Sequence, residues 1–336
     1  MTTVYFPPHQ VRTVCGRNGL TAKHSGRGLP RFMTNVMDNL TYNSSGPIYV
    51  YTAIATSTDG TNWTASTNNP FYGGAGYGIA WNGSYWVAVG ENAGGTVSIA
   101  KSTDGLTWTA STNNPFDGGR SYGIAWNSYD SYWVAVGEFE SPGGTVSIAK
   151  SSDGMNWIAA TNNPFGDDGG VGYGIAWNGS YWVAVGSSEA SSLAVSIATS
   201  TDGLTWTAST NNPFDGGAGS NHGIGIAWNG SYWVAVGENA GGTVSIAKSM
   251  DGMNWITSTN NPFDGMNSGA GRGIAWNSDG AYWVAVGEKA GGTVCIAKSL
   301  DGLTWTASTN NPFDSGYGRG IAWNGSYWVA VGSGIA

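Results

Sequence analysis

The sequence predicts an all-β fold, namely a six-bladed β-propeller of four-stranded antiparallel blades. Two motifs carry this prediction, because "GIAWN" and S-x-D-G-x-x-W each occur six times in the 336 residues. The "GIAWN" motifs begin at Gly78, Gly123, Gly174, Gly225, Gly273 and Gly320. Successive copies lie 45 to 51 residues apart, which is the length of one four-stranded blade. No segment shows the helical periodicity of apolar residues that would contradict this.

Each repeat contains four short strands. In the first complete repeat they are predicted at 76–82, 85–90, 96–102 and 107–111. The "NGS" segment separates the first two strands, because Asn-Gly favours the positive φ angles of a tight hairpin. "TDG" makes the turn between the third and fourth strands, and Gly-rich loops make the remaining connections.

The two ends of the propeller sequence are incomplete repeats. Residues 46–66 supply only a third and a fourth strand, whereas the last repeat supplies only a first and a second strand, within 320–332. We therefore predict a propeller domain over 46–336 that is closed by a composite blade of these two segments. Such closure pairs the terminal strands and leaves few exposed sheet edges.

Residues 1–45 form a separate basic segment, which we predict to be an extended N-terminal arm. Its basic residues are Arg12, Arg17, Lys23, Arg27 and Arg31. The remaining residues hold eight basic and twenty acidic side chains, which argues against nucleic acid as a ligand of the propeller. We expect the arm to bind a protein partner and to dock the propeller into a larger assembly.

The "STDGLTW" turns resemble the Asp-box repeat of the bacterial-neuraminidase type, with one residue fewer between Asp and Trp. This resemblance covers 46–336 and implies a propeller in which each Asp ties a turn and each Trp packs between blades. The implied turn residues are Asp59, Asp104, Asp153, Asp202, Asp251 and Asp301. The implied packing residues are Trp63, Trp108, Trp157, Trp206, Trp255 and Trp305.

A ring of polar residues is expected where the innermost strands begin, at the mouth of the central channel. These residues are Tyr77, Arg120, Tyr122, Tyr173, His222, Arg272 and Arg319. Three arginines and several tyrosines at one mouth are similar to the Arg triad and the Tyr of a sialidase, although no Glu partner can be assigned from the sequence. Four carboxylates follow "VAVG" on the same face, and we expect them to be solvated rather than to bind Ca²⁺; they are Glu91, Glu138, Glu238 and Glu288.

The function favoured by the sequence alone is a non-enzymatic structural or binding propeller, such as a decoration protein on a virion or an appendage. A glycan-binding lectin with repeated weak sites is the first alternative, and a sialidase-like glycosidase is the second. No cofactor and no metal site is expected, since three histidines and two cysteines offer no ligand cluster. No signal peptide or membrane span is visible, which predicts a particle-surface or cytoplasmic location.

Overall fold

The computed structural model contains 24 β-strands and no helix among the residues that it describes. These residues are 53–59, 61–139, 146–166, 170–188, 195–214, 222–239, 241, 243–263, 269–289, 294–313 and 316–333. Five four-stranded antiparallel sheets follow one another along the chain, with a two-stranded sheet at either end. The fold is therefore all-β and consistent with a propeller.

We call the five complete sheets blades 1 to 5 and the two terminal sheets the N-terminal and C-terminal half-blades. The N-terminal half-blade is β1 (Ala55–Thr56) and β2 (Thr64–Ala65). Blade 1 is β3 (Ala75–Trp81), β4 (Trp86–Glu91), β5 (Ile99–Ser102) and β6 (Thr109–Ala110). Blade 2 is β7 (Arg120–Asn127), β8 (Tyr132–Glu138), β9 (Ile148–Ser151) and β10 (Ile158–Ala159). Blade 3 is β11 (Val171–Trp177), β12 (Trp182–Ser187), β13 (Ile197–Ser200) and β14 (Thr207–Ala208).

Blades 4 and 5 repeat the same arrangement. Blade 4 is β15 (His222–Trp228), β16 (Trp233–Glu238), β17 (Ile246–Ser249) and β18 (Trp255–Thr257). Blade 5 is β19 (Ala270–Asn277), β20 (Tyr282–Glu288), β21 (Ile296–Ser299) and β22 (Thr306–Ala307). The C-terminal half-blade is β23 (Tyr317–Trp323) and β24 (Trp328–Ser333). Within each sheet, strands that are consecutive in the chain are neighbours and antiparallel.

The fourth strand is shorter than predicted, because side chains replace part of its backbone ladder. In blade 1 it covers Thr109–Ala110 rather than 107–111. The Asn68 side chain accepts a hydrogen bond from Trp108 N–H at 2.8 Å and donates one to Trp108 O at 2.6 Å. The first Asn of each "TNNPF" makes the same pair with the Asp-box Trp in blades 2 to 5.

The hydrophobic core lies between neighbouring blades. One cluster joins Val134, Val136 and Ile148 of blade 2 to Trp182 and Trp206 of blade 3. The Phe of "NNPF" is fully buried wherever it belongs to such a cluster, although the sequence analysis did not single it out. Burial of this much aromatic surface explains how blades with few charged residues hold together.

Polar contacts cross the same interfaces. Trp133 Nε1 of blade 2 donates a hydrogen bond to Tyr85 Oη of blade 1 at 3.1 Å. Lys101 places its Nζ 3.6 Å from the centre of the Tyr85 ring and donates to Asp153 O of blade 2 at 2.8 Å. A buried Trp thus donates a hydrogen bond across the interface. Where a Lys is present, its ammonium group contacts a Tyr ring of one blade and a backbone carbonyl of the next.

The predicted composite blade is not seen as one sheet. In the described residues, β1 pairs only with β2, and β23 pairs only with β24. Ile54, next to β1, packs on Phe71 and Trp108 of the first blade, as Ile99 packs on the next one. Val329 and Val331 on β24 remain 53% and 59% exposed, because no sheet covers their face. The predicted pairing of β24 with β1 is therefore not among the observed strand pairs.

The predicted arm at 1–45 lies outside the described residues, together with its five basic side chains. Its protein partner and the location of the protein stay predictions. Among the described residues, no helix is long and apolar enough to cross a membrane.

Candidate functional site at the channel mouth

Residues of six innermost strands line one cavity. The Gly-Ile pair of each "GIAWN" motif lines it, from Gly78 and Ile79 to Gly320 and Ile321, and its volume is about 290 Å³. The absence of a Cβ allows the inner strands to approach each other, since a Cβ on Gly123 would lie 3.1 Å from Tyr173 O of the next blade. The channel wall is therefore made of glycine backbone and isoleucine side chains.

Two positions on each innermost strand lie just before this Gly-Ile pair and form the mouth. The outer position pairs across the sheet with the residue after "VAVG", as Arg120 pairs with Glu138 and His222 with Glu238. The inner position directly precedes the Gly and holds Tyr77, Tyr122 and Tyr173 in blades 1 to 3. Hairpin register therefore brings the carboxylates that follow "VAVG" to the predicted mouth residues.

Blades 1 and 2 share a cluster of two phenols, two carboxylates and one guanidinium. Tyr77 Oη donates to Glu91 Oε1 at 2.8 Å, and Tyr122 Oη donates to Glu138 Oε1 at 3.0 Å. Arg120 lies between the carboxylates, with Nε 2.5 Å from Glu91 Oε2 and Nη1 3.5 Å from Glu138 Oε1. These bonds are charge-assisted, which makes them roughly twice as strong as hydrogen bonds between neutral groups.

Both phenols of this cluster are held in the protonated form. Burial and the hydrogen bond to Glu91 raise the pKa of Tyr77 to about 12. Burial also raises the pKa of Tyr122 above its usual range. A proton can therefore leave either phenol near neutral pH only as part of a transfer to its carboxylate partner.

The rest of the mouth holds two arginines, one histidine and two glutamates. Arg272 Nη2 lies 2.8 Å from Glu288 Oε2, and His222 Nδ1 lies 3.1 Å from Glu238 Oε1. Arg319 donates to Tyr317 Oη at 2.7 Å, and no carboxylate among the described residues lies within ion-pair distance of it. Hydrogen bonds with Ser333 and Arg319 lower the pKa of Tyr317.

The seven predicted mouth residues therefore divide into groups. Tyr77, Tyr122, Tyr173 and His222 form an arc of aromatic rings with neighbouring centroids 5.1, 5.3 and 5.7 Å apart. The arginines do not form one triad, because Arg120 joins the carboxylates of blades 1 and 2. Arg272 and Arg319 instead approach the Tyr317 ring, at 5.0 and 4.8 Å from its centre. Tyr317 was missed in the sequence, although it lies at the outer position of its strand.

The sequence also did not reveal that glutamates pair with the mouth residues. They were seen only as rim carboxylates, since the pairing of Tyr77 with Glu91 depends on hairpin register rather than on proximity in the chain. A search for residues opposite the predicted mouth positions would have found them. Among the described residues, no group of three or more His, Cys, Asp or Glu side chains is arranged to hold a metal ion.

The Asp-box side chains lie at the turns between third and fourth strands. Asp104 Oδ1 accepts backbone hydrogen bonds from Leu106 at 2.8 Å and Thr107 at 2.7 Å, and a further bond from Ser102 Oγ. The N–H groups of Thr107 and Leu106 lower the pKa of Asp104 to about 2. The Trp of these turns is almost fully buried in blades 1 to 5, whereas Trp63 in the N-terminal half-blade is 64% exposed.

Comparison with known proteins finds similarity of fold alone. No family model matches the chain, and no curated protein sequence matches it. An ancestral GH74 enzyme superposes with a TM-score of 0.55 at 15% identity over 76% of this chain and 34% of that structure. A streptogramin B lyase superposes with a TM-score of 0.51 at 14% identity over 74% of this chain and 72% of its own. The GH74 xyloglucanase of Xanthomonas campestris gives 0.41 at 14% identity, over 80% and 47%.

These comparisons correct one prediction. The sequence analysis favoured a non-enzymatic structural propeller on a particle, and that prediction is wrong because the solved structures with this arrangement of sheets include GH74 glycoside hydrolases. The structural neighbours are propeller-like, which agrees with the repeated four-stranded sheets. The resemblance to the Asp-box family is not confirmed by a match to a family model.

Proposed function

We propose that this protein is a carbohydrate-active propeller that hydrolyses a glycosidic bond at the mouth of its channel. The observation that carries the proposal is the Tyr77–Glu91 hydrogen bond of 2.8 Å, next to the Tyr122–Glu138 pair and bridged to it by Arg120. The similarity in fold to a GH74 enzyme supports it, as does the prediction of a sialidase-like alternative from the mouth residues.

Most glycoside hydrolases use two carboxyl groups, and sialidases use a tyrosine nucleophile instead. In the proposed reaction, Tyr77 Oη attacks the anomeric carbon while its proton passes to Glu91. The bond from the anomeric carbon to the leaving oxygen breaks, and that oxygen takes a proton from Glu138, which enters the reaction as the carboxylic acid. Water then attacks the anomeric carbon and gives a proton to Glu138, while the bond to Tyr77 Oη breaks and that oxygen takes its proton back from Glu91.

Tyr77 suits the role of nucleophile better than Tyr122 because it is more accessible. Its side chain is 43% exposed, so that a sugar can reach it, whereas Tyr122 is more deeply buried. Its raised pKa of about 12 also makes transfer to an adjacent base necessary, and Glu91 occupies that position.

The test uses fluorogenic 4-methylumbelliferyl glycosides of neutral and acidic sugars. We expect turnover of at least one of them, with a fall in kcat of about 10² or more in Tyr77→Phe and Glu91→Gln. Tyr129→Phe is the matched control, because this tyrosine is 84% exposed in a turn between β7 and β8 at the far end of the blade.

Two results would overturn the proposal. One is the absence of turnover across the panel, and the other is turnover that survives both substitutions unchanged. Binding of the same glycosides without hydrolysis would instead favour the lectin alternative.

We further propose that the site is completed by closure of the ring into six blades. In that case β24 and β1 would pair as β4 and β5 do. Val87 of β4 lies opposite Lys101 and Ala88 lies opposite Ala100. The same register predicts that Val329 lies opposite Thr56 and that Ala330 lies opposite Ala55. The common cavity lined by all six Gly-Ile pairs supports a ring around one axis.

The uncovered residues at the two ends also support closure. Closure would bury Val329 and Val331 against the first blade, at the positions that Val87 and Val89 occupy on the second. It would also place Trp63 against blade 5. This matches the other blades, in which the Asp-box Trp is buried against the preceding sheet. Lys298, which already lies 3.8 Å from the Tyr282 ring centre, would then reach the carbonyl of Asp59.

A disulfide test of this register uses Ala55→Cys with Ala330→Cys in a Cys15→Ser, Cys295→Ser background. Directly paired residues have Cα atoms about 5.5 Å apart or less, within the range of a disulfide. Ala65→Cys with Ala330→Cys is the control, since Ala65 pairs with Ala55 on the side away from β24. Cross-linking of the control pair alone, or of neither pair, would contradict closure in this register.

A further inference from the structure

We propose that the mouth binds the carboxylate of an acidic sugar at Arg319, so that the substrate is a glycoside of a uronic acid. The choice of a glycoside rests on the proposed function, whereas the carboxylate site stands on a comparison between repeats of this chain. Where blade 5 supplies a glutamate to its arginine, the C-terminal half-blade has a serine, and the ligand supplies the carboxylate.

The complete blades show what the inner mouth position contacts. In blade 1, Tyr77 at this position donates to Glu91, which follows "VAVG" on the neighbouring strand. Blade 2 repeats the contact between its own tyrosine and glutamate. Blade 5 has an arginine instead, and Arg272 donates to Glu288 Oε2 from Nη2 at 2.8 Å and from Nε at 3.2 Å. In these three blades the inner side chain therefore meets a carboxylate from its own hairpin.

The C-terminal half-blade keeps the arginine but not the carboxylate. Arg319 directly precedes "GI", as Arg272 does in blade 5. The residue after "VAVG", however, is Ser333 rather than a glutamate. Arg319 donates to Tyr317 Oη at 2.7 Å, and the described residues provide no carboxylate within ion-pair distance of it. Its positive charge is thus not balanced within this hairpin.

The groups around Tyr317 already favour a negative charge. Hydrogen bonds with Ser333 and Arg319, and then the charges of Arg319 and Arg272, lower the pKa of this phenol. The two guanidinium groups lie 4.8 and 5.0 Å from the centre of its ring. A guanidinium can offer two parallel N–H donors to a carboxylate, so the same arginines would hold a carboxylate more strongly than a hydroxyl group.

The exposure and the size of these residues suit a bound ligand. Arg319 is exposed and Ser333 is partly exposed, and serine is shorter than the glutamate of the other hairpins, so a carboxylate can approach from solution. A uronic acid carries this group directly on the sugar ring. The corresponding neutral sugar has a hydroxymethyl group there, which gives Arg319 no counter-charge. An acidic sugar therefore gains an interaction that a neutral sugar of the same stereochemistry lacks.

The first experiment compares two uronates with their neutral counterparts by titration calorimetry, namely D-glucuronate with D-glucose and D-galacturonate with D-galactose. Each pair differs only at the carboxylate, so the ratio of the two dissociation constants isolates the contribution of this group. We expect at least one uronate to bind about fivefold to tenfold more tightly than its counterpart, as for a charge-assisted hydrogen bond at a partly exposed site. The ratio should shrink toward unity in about 1 M NaCl, because salt screens exposed charges.

Ser333→Glu tests the comparison between repeats. It gives the C-terminal half-blade the glutamate of blade 5, which should bind Arg319 and abolish the preference for uronates. Ser187→Glu is the matched control and should keep the preference, because Ser187 follows "VAVG" in blade 3, whose inner residue is the uncharged Tyr173. Both variants should fold, since four sheets already carry Glu at this position. Arg319→Gln should abolish the preference by removing the charge itself.

A second experiment separates the carboxylate site from the proposed function. For a 4-methylumbelliferyl uronide that the protein hydrolyses, Arg319→Gln should raise KM about fivefold, whereas Ser187→Glu should not. Binding of uronates without hydrolysis of any glycoside would uphold the carboxylate site and reject the enzymatic proposal.

Two other results would overturn the carboxylate site alone. One is hydrolysis of neutral glycosides by a protein that binds uronates no better than neutral sugars. The other is an equal effect of Ser333→Glu and Ser187→Glu on uronate binding, because the response would then be to charge at the mouth in general.

Discussion

Substitution of Thr199 by Lys should stabilise the interface between blades 3 and 4. At this position Lys101, Lys150 and Lys248 each lie over a Tyr ring of their own blade and donate to an Asp carbonyl of the next one. Blade 3 has Thr199 instead, whose hydroxyl contacts Met253 Sδ at 3.1 Å. A Lys there would reach over the Tyr181 ring toward Asp251 O.

The expected gain is small, because opposing terms nearly cancel. An exposed cation–π contact contributes about 0.5–1 kcal/mol, and a hydrogen bond from a charged donor about 1.5–3 kcal/mol. Ordering a Lys side chain costs about 1.5–2 kcal/mol, and the contact with Met253 is lost. The net stabilisation is therefore about 0.5–1 kcal/mol, which raises the Tm of a domain of this size by about 1–2 °C.

Denaturant unfolding and scanning calorimetry of Thr199→Lys measure this gain. Thr207→Lys is the matched control, because it adds the same charge on the exposed fourth strand of the same blade. The reverse change, Lys150→Thr, should destabilise the protein by a similar amount. The reasoning is refuted if Thr199→Lys and Thr207→Lys have the same effect while Lys150→Thr has none.

Three further predictions concern the scaffold. Three Asp-box carboxylates have a pKa of about 2 in the folded protein, so their stabilisation is complete above the unfolded-state pKa of 3.8 and is lost as the pH falls toward 2. The Tm should therefore fall steeply from pH 4 to pH 2, and a Tm that does not change over this range would contradict their role. Phe165→Ala should cost about 3–5 kcal/mol in unfolding free energy against less than about 0.5 for exposed Ile158→Ala, and equal losses would exclude a core role. Gly154→Ala should lower the free energy of unfolding by at least about 1 kcal/mol more than Gly179→Ala. Both glycines have a positive φ, but only at Gly154 would a Cβ clash with Val87 Cγ2, at 2.9 Å. Equal melting temperatures of the two variants would argue against that clash.

The strands were predictable because repetition multiplies a weak local signal. One "YWVAVG" segment could be a strand or part of a buried helix, but six copies spaced by turn residues exclude the helix. The Asn-Gly turns also appear as predicted, with Asn82 Oδ1 accepting the N–H groups of Ser84 and Tyr85. The short fourth strand was not predictable in this way, because Asn68 binds Trp108 of the next repeat across 40 residues.

The candidate site was predicted by position but not by pairing. Five of the seven expected mouth residues fall at the inner position, directly before "GI", and the other two, Arg120 and His222, fall at the outer position. What the sequence could not supply was the partner of each, since Arg120 contacts the carboxylates of two different blades. A contact between repeats has no signature within one repeat.

The scaffold and the mouth of this propeller differ in how strictly they repeat, and the difference is informative about the ligand. The turn Asp, the core Trp and the channel Ile recur in each copy, whereas the outer mouth position holds Ala75, Arg120, Val171, His222, Ala270 or Tyr317. The residue opposite it is Glu in four sheets and Ser in the two that pair with Val171 and Tyr317. A symmetric ring would present the same group six times and could only bind a symmetric partner or six identical ones. The inner mouth position instead holds tyrosines in blades 1 to 3 and arginines in blade 5 and the C-terminal half-blade, so it favours one asymmetric ligand held in a single orientation.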